Sequence, residues 1–268
     1  MLYDIRNEQQ AAKTLERLTG VPESYWVIEG IKNSTRFDFA DADKDIEHII
    51  SMSGGHFPKL EELELIVTHI TTSNNRCISI IRNGLIGLVK AYKLPESELR
   101  QFLETNDVEI DVDSNWLIYK DECYDISYGK CPIDHESREY AAWSVGQKLY
   151  YDFAVCGFLS LNEKNIYGGY VHRRPEILSD IDDLLGTQLQ EQWEESHRAY
   201  EVVFKVPVYE TVYNGWDSDD EYERVMRYLV DAYMCVFTGP DTQEILCRNG
   251  VEIMPEHILE CNEFNLWV

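Results

Sequence analysis

A chain of 268 residues, 44% hydrophobic and 12% aromatic, has the material for a sizeable packed core, which excludes wholesale disorder. Its 49 acidic against 24 basic side chains leave a formal net charge of −25, which opposes unassisted binding to phosphate backbones, although a small basic pocket can sit on an acidic body. Seven scattered cysteines without a Cys-x-x-Cys pair, a charged start (MLYDIRNEQQ) and no apolar run near the roughly 18 residues of a membrane span lead us to expect a cytoplasmic protein with reduced thiols and no membrane association.

In chain order, residues 8–18 carry Ala11, Ala12, Leu15 and Leu18 at helical spacing, with Gly20 as a stop. Residues 41–52 repeat the pattern with Ile46, Ile49 and Ile50 before Gly54-Gly55. Residues 1–60 therefore read as a helical N-terminal extension and 61–268 as the main domain. An apolar strand beginning at Leu63 runs into His69-Ile70-Thr71, followed by a helix over about 75–91 and a second over 95–103. Strands at 108–112 and 116–119 flank the turn-rich Asp113-Ser114-Asn115. A helix is predicted over 137–150, a strand over 152–161, a long helix over 176–199 and a strand over 200–208. A helix over 219–228 and strands at 232–237 and 244–247 complete the pattern. Strands and helices without regular alternation indicate the α+β class, with a mixed or antiparallel sheet core and flanking helices.

Two segments carry chemistry-bearing side chains at strand positions. His69 can donate to a ribose hydroxyl, and Thr71, two residues on, faces the same side; a half-buried structural histidine beside an ordinary helix cap at Gly84 is the plain alternative. Near the other end, Glu244 heads the short apolar run Ile245-Leu246-Cys247. Between them, YGGYVHRRP at 167–175 concentrates His172, Arg173 and Arg174 in an otherwise acidic chain, and arginines can bind a pyrophosphate by bidentate contacts. The same loop equally reads as a turn neutralised by Glu176, Asp180 and Asp182. Glu194-x-x-His197 lacks a second copy on another helix, and Cys123/Cys131 lack zinc-site spacing, so no metal is expected.

The string His69-Ile70-Thr71, continued by Ile80 through Gly84-Leu85, resembles the opening of the ADP-ribosyltransferase superfamily, especially the DarT-type bacterial DNA-modifying toxins and the RNA 2′-phosphotransferases. Glu244-Ile245-Leu246, followed by Met254-Pro255-Glu256-His257-Ile258, resembles that superfamily's closing segment. The resemblance implies an ADP-ribosyltransferase-like sheet with NAD as co-substrate, Glu244 as the catalytic group, and His69, Thr71, Tyr167, Tyr170, Arg173 and Arg174 as NAD-binding residues. His69 and Glu244 are then expected to converge across adjoining strands on one dinucleotide. Glu201 and Glu210 are rival carboxylates, and Arg76 lies near where an early arginine acts in some relatives. The implied function is mono-ADP-ribosyl transfer by a bacterial or phage effector or toxin. Its acceptor would be a nucleic acid or a protein, and a cognate antitoxin or inhibitor its partner; bare NAD hydrolysis is a variant of that chemistry. The alternative is a non-catalytic acidic interaction protein, an inhibitor or nucleic-acid mimic, on an inactive relative of the fold.

Overall fold

A computed structural model of the chain describes residues 1–33, 41–151, 154–162, 170–213 and 218–264. Strand β1 (Leu2–Tyr3) precedes helix α1 (Glu8–Thr19), which starts where the Asn7 side chain accepts from the Gln10 N–H at 3.0 Å and ends at Gly20, φ 74°. Helix α2 (Glu23–Asn33) follows, unannounced by the sequence pattern, and then α3 (Ala42–Ser53), closed by Gly54. Strand β2 (Glu64–Ser73) runs through His69-Ile70-Thr71 to Ser73.

The one helix expected over 75–91 is two short ones, α4 (Ile78–Asn83) and α5 (Leu88–Lys93). The break falls at Gly84, φ 82°, where a β-carbon would lie 1.9 Å from the Ile253 carbonyl oxygen; only glycine lets the chain pass that carbonyl. Helix α6 (Glu98–Thr105) begins at Ser97, whose hydroxyl accepts from the Arg100 N–H at 3.3 Å, and not at Pro95. Strands β3 (Val108–Asp111), β4 (Trp116–Tyr119) and β5 (Glu122–Asp125) form an antiparallel meander whose third strand the sequence did not announce.

Helix α7 (Arg138–Tyr151) and strand β6 (Cys156–Ser160) follow, and Asp152 and Phe153 of the longer expected strand lie outside the described residues. The long helix expected over 176–199 is also two, α8 (Ile177–Leu185) and α9 (Leu189–Ser196). Gly186 at φ 67° ends the first; the Asp182 carboxylate starts the second by accepting from the N–H groups of Leu189 and Gln190 at 2.7 and 3.0 Å. Strands β7 (Arg198–Pro207) and β8 (Thr211–Tyr213) lead to helix α10 (Glu221–Thr238). That helix takes in the strand expected at 232–237: buried Val225, Leu229, Ala232 and Tyr233 continue a helical stripe, which outweighs the strand preference of Val236 and Phe237. Strands β9 (Gln243–Cys247) and β10 (Ile258–Glu263) end the described chain. The fold class is α+β, with one parallel strand pair, β1 on β2, and otherwise antiparallel registers among the described pairs.

The chain divides into two compact units, the first comprising Met1–His69, Cys156–Ile166 and Val203–Arg248. In it the strands run in the order β7-β2-β6-β9-β8, and helices α1, α2 and α3 pack with α10. Tyr3 donates its hydroxyl to the Tyr228 carbonyl at 2.9 Å, and Trp26 meets Tyr233 edge-on at 5.9 Å between ring centroids. The second unit comprises Ile70–Val155, Tyr167–Val202 and Asn249–Val268. Its core joins the meander to α6, α7, α8 and α9 through buried Leu103, Val108, Leu117, Val145, Ile181 and Trp193.

In this second unit Trp193 stacks on buried His197 with ring centroids 3.5 Å apart, and its indole N–H donates to Thr72 at 2.9 Å. His197 Nε2 is buried without a hydrogen-bond partner, 3.6 Å from a Glu98 oxygen. Burial lowers the pKa of His197, against smaller opposing pulls from the Trp193 carbonyl and the Glu98 charge. The unfolded chain therefore takes up this proton first, so the contribution is complete above the ordinary histidine value and is lost as pH falls through it. Urea midpoints measured at about pH 7.5 and about pH 5.5 are expected to fall toward acid in the wild type and to fall less in His197→Phe. Equal slopes for the two proteins would refute this assignment.

Candidate functional site

Strands β2, β6 and β9 are consecutive neighbours in the first unit, so the two segments singled out by sequence flank one strand. Gly157 permits their close approach, since a β-carbon there would lie 2.4 Å from Val67 Cγ1. Thr68 opposes Phe158, and Phe158 opposes Glu244, which makes one row across the three strands. On either side of this row two polar contacts converge on Cys156. Its thiol donates to Glu244 Oε1 at 3.3 Å, and its carbonyl accepts from His69 Nδ1 at 2.8 Å. A carbonyl only accepts, so Nδ1 carries the hydrogen in this contact.

Directly opposed residues share a face, so Glu244 leaves the sheet on the side of Thr68 and Phe158. His69, one residue past Thr68, leaves on the other side, in line with Gly157 and Ile245. The two groups therefore reach Cys156 from opposite faces of β6, and not from one side as expected from the sequence. Both are half-buried.

Behind Glu244, the neighbouring Gln243 belongs to a polar network within the same unit. The Tyr213 hydroxyl lies within bonding distance of the Asp231 carboxylate and, at 2.9 Å, of the Gln243 side chain. Both are acceptors for the phenol, whose single proton can go to only one of them at a time. Arg227 Nε lies 3.3 Å from Asp231. Burial raises the pKa of Asp231, and burial followed by the Asp231 charge raises that of Tyr213. This network reaches β9 at Gln243, the residue before Glu244. Neither it nor Cys156 was singled out from sequence; the one local signal was Gly157, a glycine inside a strand, which marks close backbone approach.

The remaining expected residues lie in the second unit. Thr71 alternates with His69 along β2 and is half-buried. Tyr170 is half-exposed at φ 56°, its carbonyl accepts from the Arg173 N–H at 2.7 Å, and the Arg173 guanidinium lies 5.5 Å from its ring centre. Tyr167 lies outside the described residues. An open cavity of about 390 Å³ is lined by Tyr170, Arg173 and Arg174 together with Asp183, Glu191 and Glu194. Its charge is thus mixed, not uniformly basic. Of the rival carboxylates, Glu201 sits on β7 in the second unit, and Glu210 is exposed in a turn of the first, where its carbonyl accepts from the Arg248 N–H at 2.7 Å.

Among the described residues no group of three His, Cys, Asp or Glu side chains is placed to hold a metal ion, and no helix is long and apolar enough to cross a membrane. No family model matches the chain, and no curated protein or solved structure was found to resemble it. Chemically, the Glu244 site offers a half-exposed carboxylate on a rigid strand, able to accept from a hydroxyl or to face a developing positive charge.

Proposed function

We propose that this chain is an NAD-dependent mono-ADP-ribosyltransferase, an effector or toxin of bacterial or phage conflict that modifies a nucleic acid or a protein. The observation that carries this reading is the juxtaposition of the His-Ile-Thr strand and the Glu244 strand on either side of β6, with both polar groups bonded to Cys156. Nicotinamide leaves from a pyridinium as a neutral molecule, so no general acid is required. The demand is for a negative group beside the oxocarbenium-like transition state, which a carboxylate accepting from the ribose 2′-hydroxyl meets. Glu244 takes that role. Arg173 and Arg174 are residue types suited to a pyrophosphate, and the formal charge of −25 favours a protein acceptor over duplex DNA.

One observation favours a second reading. The register sends His69 and Glu244 to opposite faces of β6, which suits a relative of the fold that no longer grips NAD between them and acts as an acidic interaction protein. Labelled NAD separates the two. The enzyme releases free nicotinamide and labels either itself or an added acceptor; an interaction protein does neither and leaves NAD unbound at millimolar concentration. That second outcome would overturn the enzymatic reading.

A further inference from the structure

We propose that Cys77 and Cys261 are a redox pair: a hydroperoxide closes a disulfide between them that ties β10 to the turn ahead of α4. Both residues belong to the second unit, so the pairing is independent of the Glu244 chemistry. Cys77 follows Arg76, and both hold left-handed backbone, φ 56° and 62°, which side chains rarely adopt. The turn is fixed by its own bonds: the Cys77 N–H donates to Ser73 Oγ at 2.9 Å, and the Cys77 carbonyl accepts from the Ile81 N–H at 2.9 Å. Across from it, Cys261 on β10 places its sulfur 4.0 Å from the carbonyl oxygen of Arg76, the residue next to Cys77, and each thiol perturbs the other's ionisation. Cys77 is buried and Cys261 half-exposed, so an oxidant reaches one and its resolving partner waits behind it.

The electrostatics assign the order of events. The hydrogen bond from Cys77 lowers the pKa of Cys261, whereas the same bond, followed by burial, raises that of Cys77. Cys261, the half-exposed member of the pair and the one whose pKa is lowered, is therefore the thiolate that attacks. Its sulfur takes one peroxide oxygen, the O–O bond breaks, and the other oxygen leaves with a proton as water or alcohol, giving a sulfenic acid. The Cys77 sulfur then displaces that hydroxyl, which leaves as water with the Cys77 thiol proton. The thiols lose two electrons together, and the peroxide gains them. Exchange with a small dithiol reopens the bridge.

The test treats the full chain with one equivalent of hydrogen peroxide, alkylates it, digests it without reductant and maps the peptides by mass. The expected product is a linked pair containing Cys77 and Cys261, lost on adding dithiothreitol and absent from Cys261→Ser. In Cys77→Ala, which lacks the resolving thiol, Cys261 is expected to proceed to the sulfinic acid. Should Cys77→Ala fail to fold, iodoacetamide kinetics on the wild type replace it, with Cys261 alkylated faster than Cys77. Links that run instead through the exposed Cys123 or Cys131, or sulfinic acid at Cys261 of the wild type without any linked pair, would overturn the proposal.

Discussion

Replacing Glu244 by glutamine is expected to lower nicotinamide release from NAD by ~100–1000-fold, the usual consequence of removing one preorganised electrostatic contact to a transition state. The substitution keeps the shape of the side chain and the Oε1 atom that accepts from the Cys156 thiol at 3.3 Å, so local packing is retained. What disappears is the negative charge that the proposed mechanism sets against the oxocarbenium-like ribose. Melting temperature should therefore stay at the wild-type value while turnover collapses, a split that a purely structural carboxylate would not produce. Glu210→Gln and Glu201→Gln serve as controls, because each removes one charge from the same acidic body at a rival position. His69→Ala is not equivalent. Its Nδ1 holds the Cys156 carbonyl at 2.8 Å, so its loss strips a partly buried acceptor of a partner at about 1–3 kcal/mol and confounds activity with stability. A Glu244→Gln protein with undiminished release would remove Glu244 from the mechanism.

What could be read in the sequence followed from where each element gets its instructions. Helices α1 and α3 were legible because their stops, Gly20 and Gly54, are local: each takes a left-handed conformation that glycine alone adopts freely. The split between α4 and α5 was not, because what forbids a continuous helix is the Ile253 carbonyl, far away along the chain. Helix α10 was cut short for a related reason. Residues 232–237 prefer strand when considered alone, and only the buried stripe from Val225 to Tyr233 overrides them. Strand β10 alternates poorly and is mostly exposed, so it carried no pattern to find.

The candidate site divides along the same line. That His69 and Glu244 each sit on a strand could be read from their neighbours. Which face each leaves from depends on register, and register is set by the pairing of Thr68 with Phe158 and of Phe158 with Glu244, which no single segment encodes. Cys156 was invisible for that reason. Nothing in its own surroundings announces that its carbonyl and its thiol serve two distant side chains. The Tyr213–Asp231–Gln243 network was hidden likewise, being assembled from a short strand, a helix and the residue before Glu244.

The second large effect is expected at Gly146, where alanine should cost about 3 kcal/mol, at the upper end for overpacking. In a solvent-exposed helix the same change would stabilise by up to ~1 kcal/mol, so the predicted sign is the reverse of the helix-propensity rule. The reason is contact with backbone. A β-carbon at Gly146 would lie 1.7 Å from the Ile126 carbonyl oxygen and 2.8 Å from its carbon, and neither atom can rotate away as a side chain could. Ile126 is fully buried and pinned by its N–H to the Asn115 carbonyl at 2.9 Å, so the meander cannot yield there without losing that bond. Helix α7 must withdraw instead, which loosens its packing against α8 and opens space around Val145 and Leu149. Two other glycines calibrate the effect. Gly87→Ala meets nothing within 4 Å and should leave the urea midpoint unchanged. Gly186→Ala also meets nothing within 4 Å but must hold φ 67°, so its loss, about 1 kcal/mol, isolates backbone strain from steric contact. A Gly146→Ala midpoint equal to that of Gly87→Ala would mean that α7 and the end of β5 are farther apart in solution than their backbone contact requires.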